Sequence, residues 1–141
     1  MSSDDGRRIL LCFDGSPESR KALDRVAELA AALPSRVTVL SVAEPLYHEP
    51  PFTGYADPRE EQEHRRLLED ALEELRGRGV DAESAEASGD TADSIVEPAR
   101  ERGADLVVVG SRHRKLVERL LFGSVSAEVV VDAPCDVLVV R

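Results

Sequence analysis

The chain has 141 residues, of which 42% are apolar and 33% are charged, and its formal net charge is −10. This composition is typical of one soluble globular domain spanning residues 1–141, and the acidity excludes proteins that bind nucleic acid or anionic membranes through a basic surface. The first eight residues are polar, and no apolar run approaches the length of a membrane span, so we expect a cytoplasmic protein.

The first third of the chain reads as strand, helix, strand. Residues 9–13 (ILLCF) form a short apolar run that predicts a buried strand. Ser16 and Pro17 then suit a helix start, and apolar residues recur at helical spacing as far as Leu33, before Pro34 ends the pattern. Residues 37–43 are rich in β-branched side chains and predict a second strand.

The middle of the chain begins with a proline-rich segment, residues 44–58, which we interpret as a lid or a mobile loop. A charged helix over residues 59–76 and an edge strand over residues 80–87 follow. A third helix opens at Asp90 or Thr91 and closes at Gly103, and Pro98 inside it predicts a kink or an early break.

The last third contains an apolar strand over residues 104–109, a helix from Ser124 to just before Pro134, and a final strand at Asp136–Val140. Strands that alternate with helices predict an α/β fold, a doubly wound five-stranded parallel sheet with helices on both faces. The strands at 9–13 and 104–109 are the most apolar and should be central. If they are neighbours, Asp14 and Gly110 face one crevice at the carboxyl edge.

The segment that leaves the strand at 104–109 has the character of a phosphate-binding loop. A basic stretch follows Gly110, and a Gly-Ser pair then begins the last helix. Main-chain N–H groups in the loop and the positive end of that helix can bind a phosphate group. The donors would be Gly110, Gly123, Ser124 and Val125, and the nearby cations are Arg112, Arg114 and Lys115. The cations favour an anion, although a solvated loop would also contain them.

At Gly110 and Gly123-Ser124 the sequence resembles the universal stress protein family, whose phosphate loop has the form G-x2-G-x9-G-[ST]. The spacing fits without a gap, and the resemblance covers nearly the whole chain, including Asp14-Gly15-Ser16 and the terminal strand. It implies a Rossmann-like fold of the adenine nucleotide alpha hydrolase type. It also implies binding of ATP or AMP, with or without Mg²⁺, and a role in stress response through conformation or partner proteins.

The resemblance assigns further positions around a nucleotide. Asp14 would lie near the ribose, and Cys12 and Val42 would lie near the base. From the residues alone, Asp14 also suits a turn or helix cap, and Val42 suits a plain core position. The resemblance further implies a homodimer, in which Asp136–Val140 pairs with its own copy.

The sequence departs from the family pattern at His113, where nucleotide-binding members have a second glycine. A histidine side chain could occupy the phosphate volume, although histidine tolerates left-handed backbone geometry better than most residues. Two hypotheses therefore stand: an adenine-nucleotide-binding module with Arg112 and His113 at its site, or a dimeric interaction protein that binds no nucleotide.

Other classes fit less well. A phosphorylation receiver requires a phospho-acceptor aspartate after the third strand, where this chain has Ala87-Ser88-Gly89. No acid–base pair can be named, so any enzymatic activity would be at most weak ATP hydrolysis, and no spacing of metal ligands is present. Cys12 and Cys135 are interpreted as reduced thiols.

Overall fold

A computed structural model describes residues 6–13, 15, 17–42, 58–87, 93–110 and 133–141. The described strands are β1 (Arg7–Phe13), β2 (Ser35–Val42), β3 (Asp81–Ala87), β4 (Leu106–Gly110) and β5 (Asp136–Val140). The described helices are α1 (Pro17–Ala32), α2 (Pro58–Gly77) and α3 (Asp93–Glu101). The proline-rich segment up to residue 57, the glycine loop after Gly110 and the predicted last helix lie outside the described residues, whereas Pro58 begins α2.

The five strands form one parallel sheet in the order β3-β2-β1-β4-β5. The prediction that the two most apolar strands lie inside the sheet is confirmed, and the condition for a shared crevice is met, because β1 pairs directly with β4. The predicted edge strand β3 is at one edge of the described sheet, and β5 is at the other. The chain first adds strands on one side of β1 and then crosses to the other side, so strand order reverses between β1 and β4.

Alternate residues of β1 pack on opposite faces of the sheet, as a strand requires. Ile9, Leu11 and Phe13 pack with α1 and α2, whereas Leu10 and Cys12 pack with α3. The prediction of helices on both faces is therefore confirmed. The core is almost entirely aliphatic, with Phe13 as its one aromatic member among the described residues.

Helices α2 and α3 end with the same pair of main-chain hydrogen bonds. After α2, the N–H of Gly79 donates to Arg76 and that of Val80 donates to Leu75; after α3, Gly103 donates to Arg100 and Ala104 donates to Ala99. This is the Schellman pattern, and the glycine in each case has positive φ. The two turns deliver the chain into β3 and β4.

Two expectations for the helices need correction. Leu33 was expected to continue the apolar face of α1, but α1 ends at Ala32 and Leu33 is 44% exposed. The expected early break of α3 at Pro98 is wrong, since the helix continues to Glu101, and the alternative of a kink there stays a prediction. Neighbouring core residues Ile95, Val96 and Ala99 are buried against the sheet, and this packing offsets the hydrogen bond that proline removes. No described helix has both the length and the apolar character needed to cross a membrane.

Candidate functional site at the carboxyl ends of β1 and β4

The candidate site lies at the edge of the sheet where β1 and β4 end. Their register pairs Leu11 with Val108, and each strand continues for two residues beyond that pair, to Phe13 and Gly110. The two strands therefore end at the same level. Because they flank the reversal of strand order, a crevice is expected between their outgoing loops.

Gly110 lies in close contact with the first turn of α1. A Cβ atom at this position would be 2.6 Å from the carbonyl carbon of Glu18 and 2.8 Å from the main-chain nitrogen of Ser19. These are backbone atoms of a helix, and they cannot move without shifting the helix itself. Gly110 is therefore required for packing of α1 on β4, whatever the loop beyond it binds.

The turn after β1 is held in a similar way by α2. Gly15 has a φ of +83°, and a Cβ there would be 2.9 Å from Cδ1 of Leu67. Both strands that border the crevice thus leave the sheet through a glycine packed against a helix. Sequence reasoning noted Gly15 only as part of a family motif and missed Leu67, whose contact with the turn joins residues far apart in the chain.

The N-terminus of α1 is close to the crevice, but it already carries an acidic residue. Glu18 lies in the first turn of α1, where a carboxylate interacts favourably with the helix dipole and opposes a second anion. The better candidate for phosphate binding is the helix predicted to begin at Ser124, which has no acidic residue in its first three positions.

The structure locates three of the predicted site residues. Gly110 ends β4, and Cys12 is fully buried in β1 within the cluster that packs against α3. Val42 is the last residue of β2, at the same edge of the sheet. The others lie outside the described residues: Asp14, Arg112, His113, Gly123, Ser124 and Val125.

The cysteines are not joined by a disulfide, as expected. Burial raises the pKa of the Cys135 thiol above its usual value, and the carboxylates of Asp136 and Asp105 raise it further. Cys135 precedes β5 at the amino edge of the sheet, so it lies away from the crevice.

The five-stranded parallel sheet with helices on both faces defines an α/β protein, and comparison with known proteins gives the family. The family model described as universal stress protein family matches residues 6–141. The chain belongs to this family.

Individual relatives agree over the whole length. Universal stress protein YxiE of Bacillus subtilis is 34% identical, with 95% of this chain and 98% of the relative covered. A solved universal stress family protein from Burkholderia pseudomallei is 32% identical with a TM-score of 0.68, and 94% of each chain is covered. A universal stress protein crystallised in complex with cAMP is 28% identical with a TM-score of 0.69, and the match covers 97% of this chain and 98% of that one.

Proposed function

We propose that this protein binds an adenine nucleotide, ATP or AMP, in the crevice between β1 and β4. The observation that carries the proposal is the adjacency of these two strands at the reversal of strand order, with their ends level. The glycine loop of the sequence leaves the sheet from Gly110, at this point.

The chemistry of the loop supports the same ligand. Main-chain N–H groups of Gly123, Ser124 and Val125 would bind the phosphates at the start of the last helix, and the Ser124 hydroxyl would donate a further hydrogen bond. Arg112 and the cations beside it would supply charge in an otherwise acidic protein. The similar universal stress protein crystallised with cAMP shows that a member of this fold family accepts an adenine nucleotide.

The remaining assignments follow the family resemblance. Asp14 would contact the ribose, and the backbone near Cys12 and Val42 would border the base. Mg²⁺ would accompany ATP through the phosphates. In this proposal the protein acts in the cytoplasm, and nucleotide binding changes its conformation or its partners in stress response.

Isothermal titration calorimetry with ATP and Mg²⁺ tests the proposal. We expect binding in the micromolar range, and Ser124→Ala should weaken it about tenfold by removing a hydrogen bond to a charged group. Gly123→Val should also weaken it, because its side chain would obstruct the approach of phosphate. Ser35→Ala is the matched control: the Ser35 hydroxyl bonds the carbonyl of Leu33 at the amino end of β2, away from the crevice.

His113→Gly separates the nucleotide hypothesis from its alternative. If the folded wild-type protein gives no heat at millimolar ATP and the variant binds, the imidazole obstructs the site and the protein belongs to the non-nucleotide group. If neither binds, the crevice is not a nucleotide site. Tighter binding by the variant than by the wild type would mean that His113 restricts affinity without abolishing it.

The alternative function, a dimeric interaction module, is favoured by one feature of β5. In the described sheet this strand pairs only with β4, and Val137, Leu138 and Val139 on it are half-buried. An edge strand of this apolar character needs a cover. We propose that it pairs antiparallel with its own copy about a two-fold axis, so that the protein is a homodimer.

Light scattering at tens of micromolar protein tests the dimer. A monomer under these conditions would contradict it. Leu138→Lys should weaken the dimer by placing a charge on the edge strand, and circular dichroism should check its fold because Leu138 also packs against the core. The solvent-facing Asp136→Lys should have a smaller effect on assembly.

A further inference from the structure

A second cleft lies at the opposite edge of the sheet from the nucleotide crevice. It is open to solvent, has a volume of about 200 Å³ and is formed at the amino ends of β1, β2 and β3 together with the turn after α3. Arg8, Arg36 and Arg102 line it, as do Thr38 and Glu83. All of these residues belong to described segments, so the cleft does not depend on the loops around the crevice.

The cleft is built from two rungs of the sheet that have one rung between them. One rung aligns Arg8, Arg36 and Asp81 on β1, β2 and β3, and the next rung but one aligns Leu10, Thr38 and Glu83. Residues two apart in a strand share a face, so these rungs present their side chains on the same side. Arg8 and Arg36 are thus directly opposite each other on neighbouring strands.

Like charges on neighbouring strands repel each other when their charged groups lie close together. The protein nevertheless places two arginines side by side here, and the turn after α3 brings a third, Arg102, to the same cleft. Among the described residues, three arginines and Glu83 line the cleft, and the carboxylates of Asp81 and Asp105 at its margin balance the remaining formal charge. The cleft is therefore distinguished by guanidinium donors that reach it from β1, β2 and the turn after α3, and such donors are suited to an anion.

The arginines are oriented by local contacts that use only part of their hydrogen-bonding capacity. Nη1 of Arg102 lies 2.7 Å from Oε1 of Glu83, and Nε of Arg36 lies 3.3 Å from Oδ2 of Asp81. Each guanidinium has five N–H donors. Nη1 and Nη2 of Arg36, and Nε and Nη2 of Arg102, make no hydrogen bond to another described residue.

Arg8 adds positive charge to the cleft and fixes the backbone around it. Its Nη1 donates to the carbonyl of Arg102. Its main-chain N–H donates to Oδ2 of Asp105, and its main-chain carbonyl accepts from the N–H of Asp105. These bonds tie the end of α3 and the start of β4 to β1, so the backbone around the cleft is held in place. Asp105 and Asp81 lie at its margin and limit the positive potential, which favours a small, singly or doubly charged anion.

We propose that this cleft is a second binding site, which takes a small oxyanion such as a phosphate or carboxylate group held by Arg36 and Arg102 in the field of Arg8. The planar guanidinium matches both anions through paired N–H donors. The cleft is smaller than the usual pocket for a drug-sized ligand, so the ligand is a small metabolite. The inference is independent of the nucleotide proposal, since the two sites lie at opposite edges of the sheet.

Residue-resolved NMR can test the site on the full chain, with inorganic phosphate and succinate as separate probes and ionic strength held constant with chloride. We expect saturable amide shifts at Thr38, Glu83 and Ala104, with millimolar dissociation constants. A stronger response to phosphate would identify a phosphate ester as the ligand class, and a stronger response to succinate would identify a carboxylate. Shifts confined to Gly110 and Ser19 would report only the opposite edge and would overturn the proposal.

Matched variants give the second part of the test. Arg36→Gln with Arg102→Gln should raise the dissociation constant at least about tenfold, because two charge-assisted contacts are lost. Glu83→Gln should lower it about threefold, because it removes the carboxylate in the lining. Arg25→Gln removes the same charge from an exposed position on α1 and should change it by less than about twofold.

Arg36→Gln should raise the dissociation constant and Glu83→Gln should lower it, so these single variants still test the site if the double variant does not fold. Arg36 is largely exposed and forms one surface ion pair, so Arg36→Gln alone should fold normally. Equal effects of Arg36→Gln and Arg25→Gln, or shifts that increase linearly with probe concentration, would mean that the anions only screen charge. Either result would exclude the site.

Discussion

The α-carbon of Gly110 lies against the backbone of Glu18 so closely that a Cβ would be 2.6 Å from the Glu18 carbonyl carbon. This contact joins the end of β4 to the first turn of α1, two elements separated by most of the chain. Helix packing alone therefore explains why the first position of the loop is a glycine, without any ligand. A glycine at this position is therefore needed for the fold, and it would contribute to the proposed phosphate site only in combination with Gly123 and Ser124.

Gly110→Ala should destabilise the protein by about 2–3 kcal/mol, because the added methyl group displaces helix backbone rather than a flexible side chain. Urea denaturation measures the change in free energy of unfolding. Gly77→Ala is the control: a Cβ at Gly77, the last residue of α2, would meet nothing within 4 Å. That variant should be neutral or more stable by up to about 1 kcal/mol, and equal losses in both would contradict the contact.

Gly15→Ala should cost about 1–3 kcal/mol for two separable reasons, positive φ and the contact with Leu67. A double-mutant cycle with Leu67→Ala separates them. In the Leu67→Ala background the contact is absent and only the backbone strain remains, so the cost of Gly15→Ala should fall. Strict additivity in denaturation experiments would show that α2 does not press on the turn after β1.

Arg76→Gln should destabilise the edge strand β3. Nε and Nη2 of Arg76 donate to the carbonyl oxygen of Ala82 at 3.1 and 2.9 Å, which satisfies an acceptor on a partly buried edge. We expect a loss of about 1–2 kcal/mol in the free energy of unfolding, as for hydrogen bonds from a charged donor.

Arg78→Gln is the natural comparison for Arg76→Gln. Arg78 pairs with Asp24 at 2.8 Å, but both side chains are substantially exposed, so its loss should cost about 0–1 kcal/mol. If the two variants lose equal free energy of unfolding, the hydrogen bonds from Arg76 to the Ala82 carbonyl stabilise the protein no more than the exposed Arg78–Asp24 pair does.

Cys135 should react slowly with iodoacetamide near neutral pH. Burial and the carboxylates of Asp136 and Asp105 raise its pKa, so the reactive thiolate is scarcer than in a free cysteine. The rate should rise with pH and level off only above the usual range for a thiol. Asp136→Asn should move the pH profile to lower pH; a profile that does not move would mean that the Asp136 carboxylate does not raise the pKa of Cys135. Mass spectrometry of the alkylated peptide separates Cys135 from the buried Cys12.

The sequence by itself determined the order of elements, because apolar runs and helical spacing are local patterns that glycine and proline punctuate. It also determined that β1 and β4 lie inside the sheet, since burial on both faces requires strands such as ILLCF and LVVVG to be continuously apolar. The loop spacing from Gly110 to Ser124 further identified the family.

The tertiary structure alone decided which residues meet across the chain. The contacts of Gly110 with Glu18 and of Gly15 with Leu67 depend on how helices pack on the sheet, which no local pattern encodes. The continuity of α3 through Pro98 was decided by burial of its neighbours rather than by the propensity of proline. The arginine cleft arises from register, which aligns Arg8 with Arg36, and from a turn that brings Arg102 from nearly a hundred residues away. Register and packing are global properties of the folded chain, so they could not be read from any single segment.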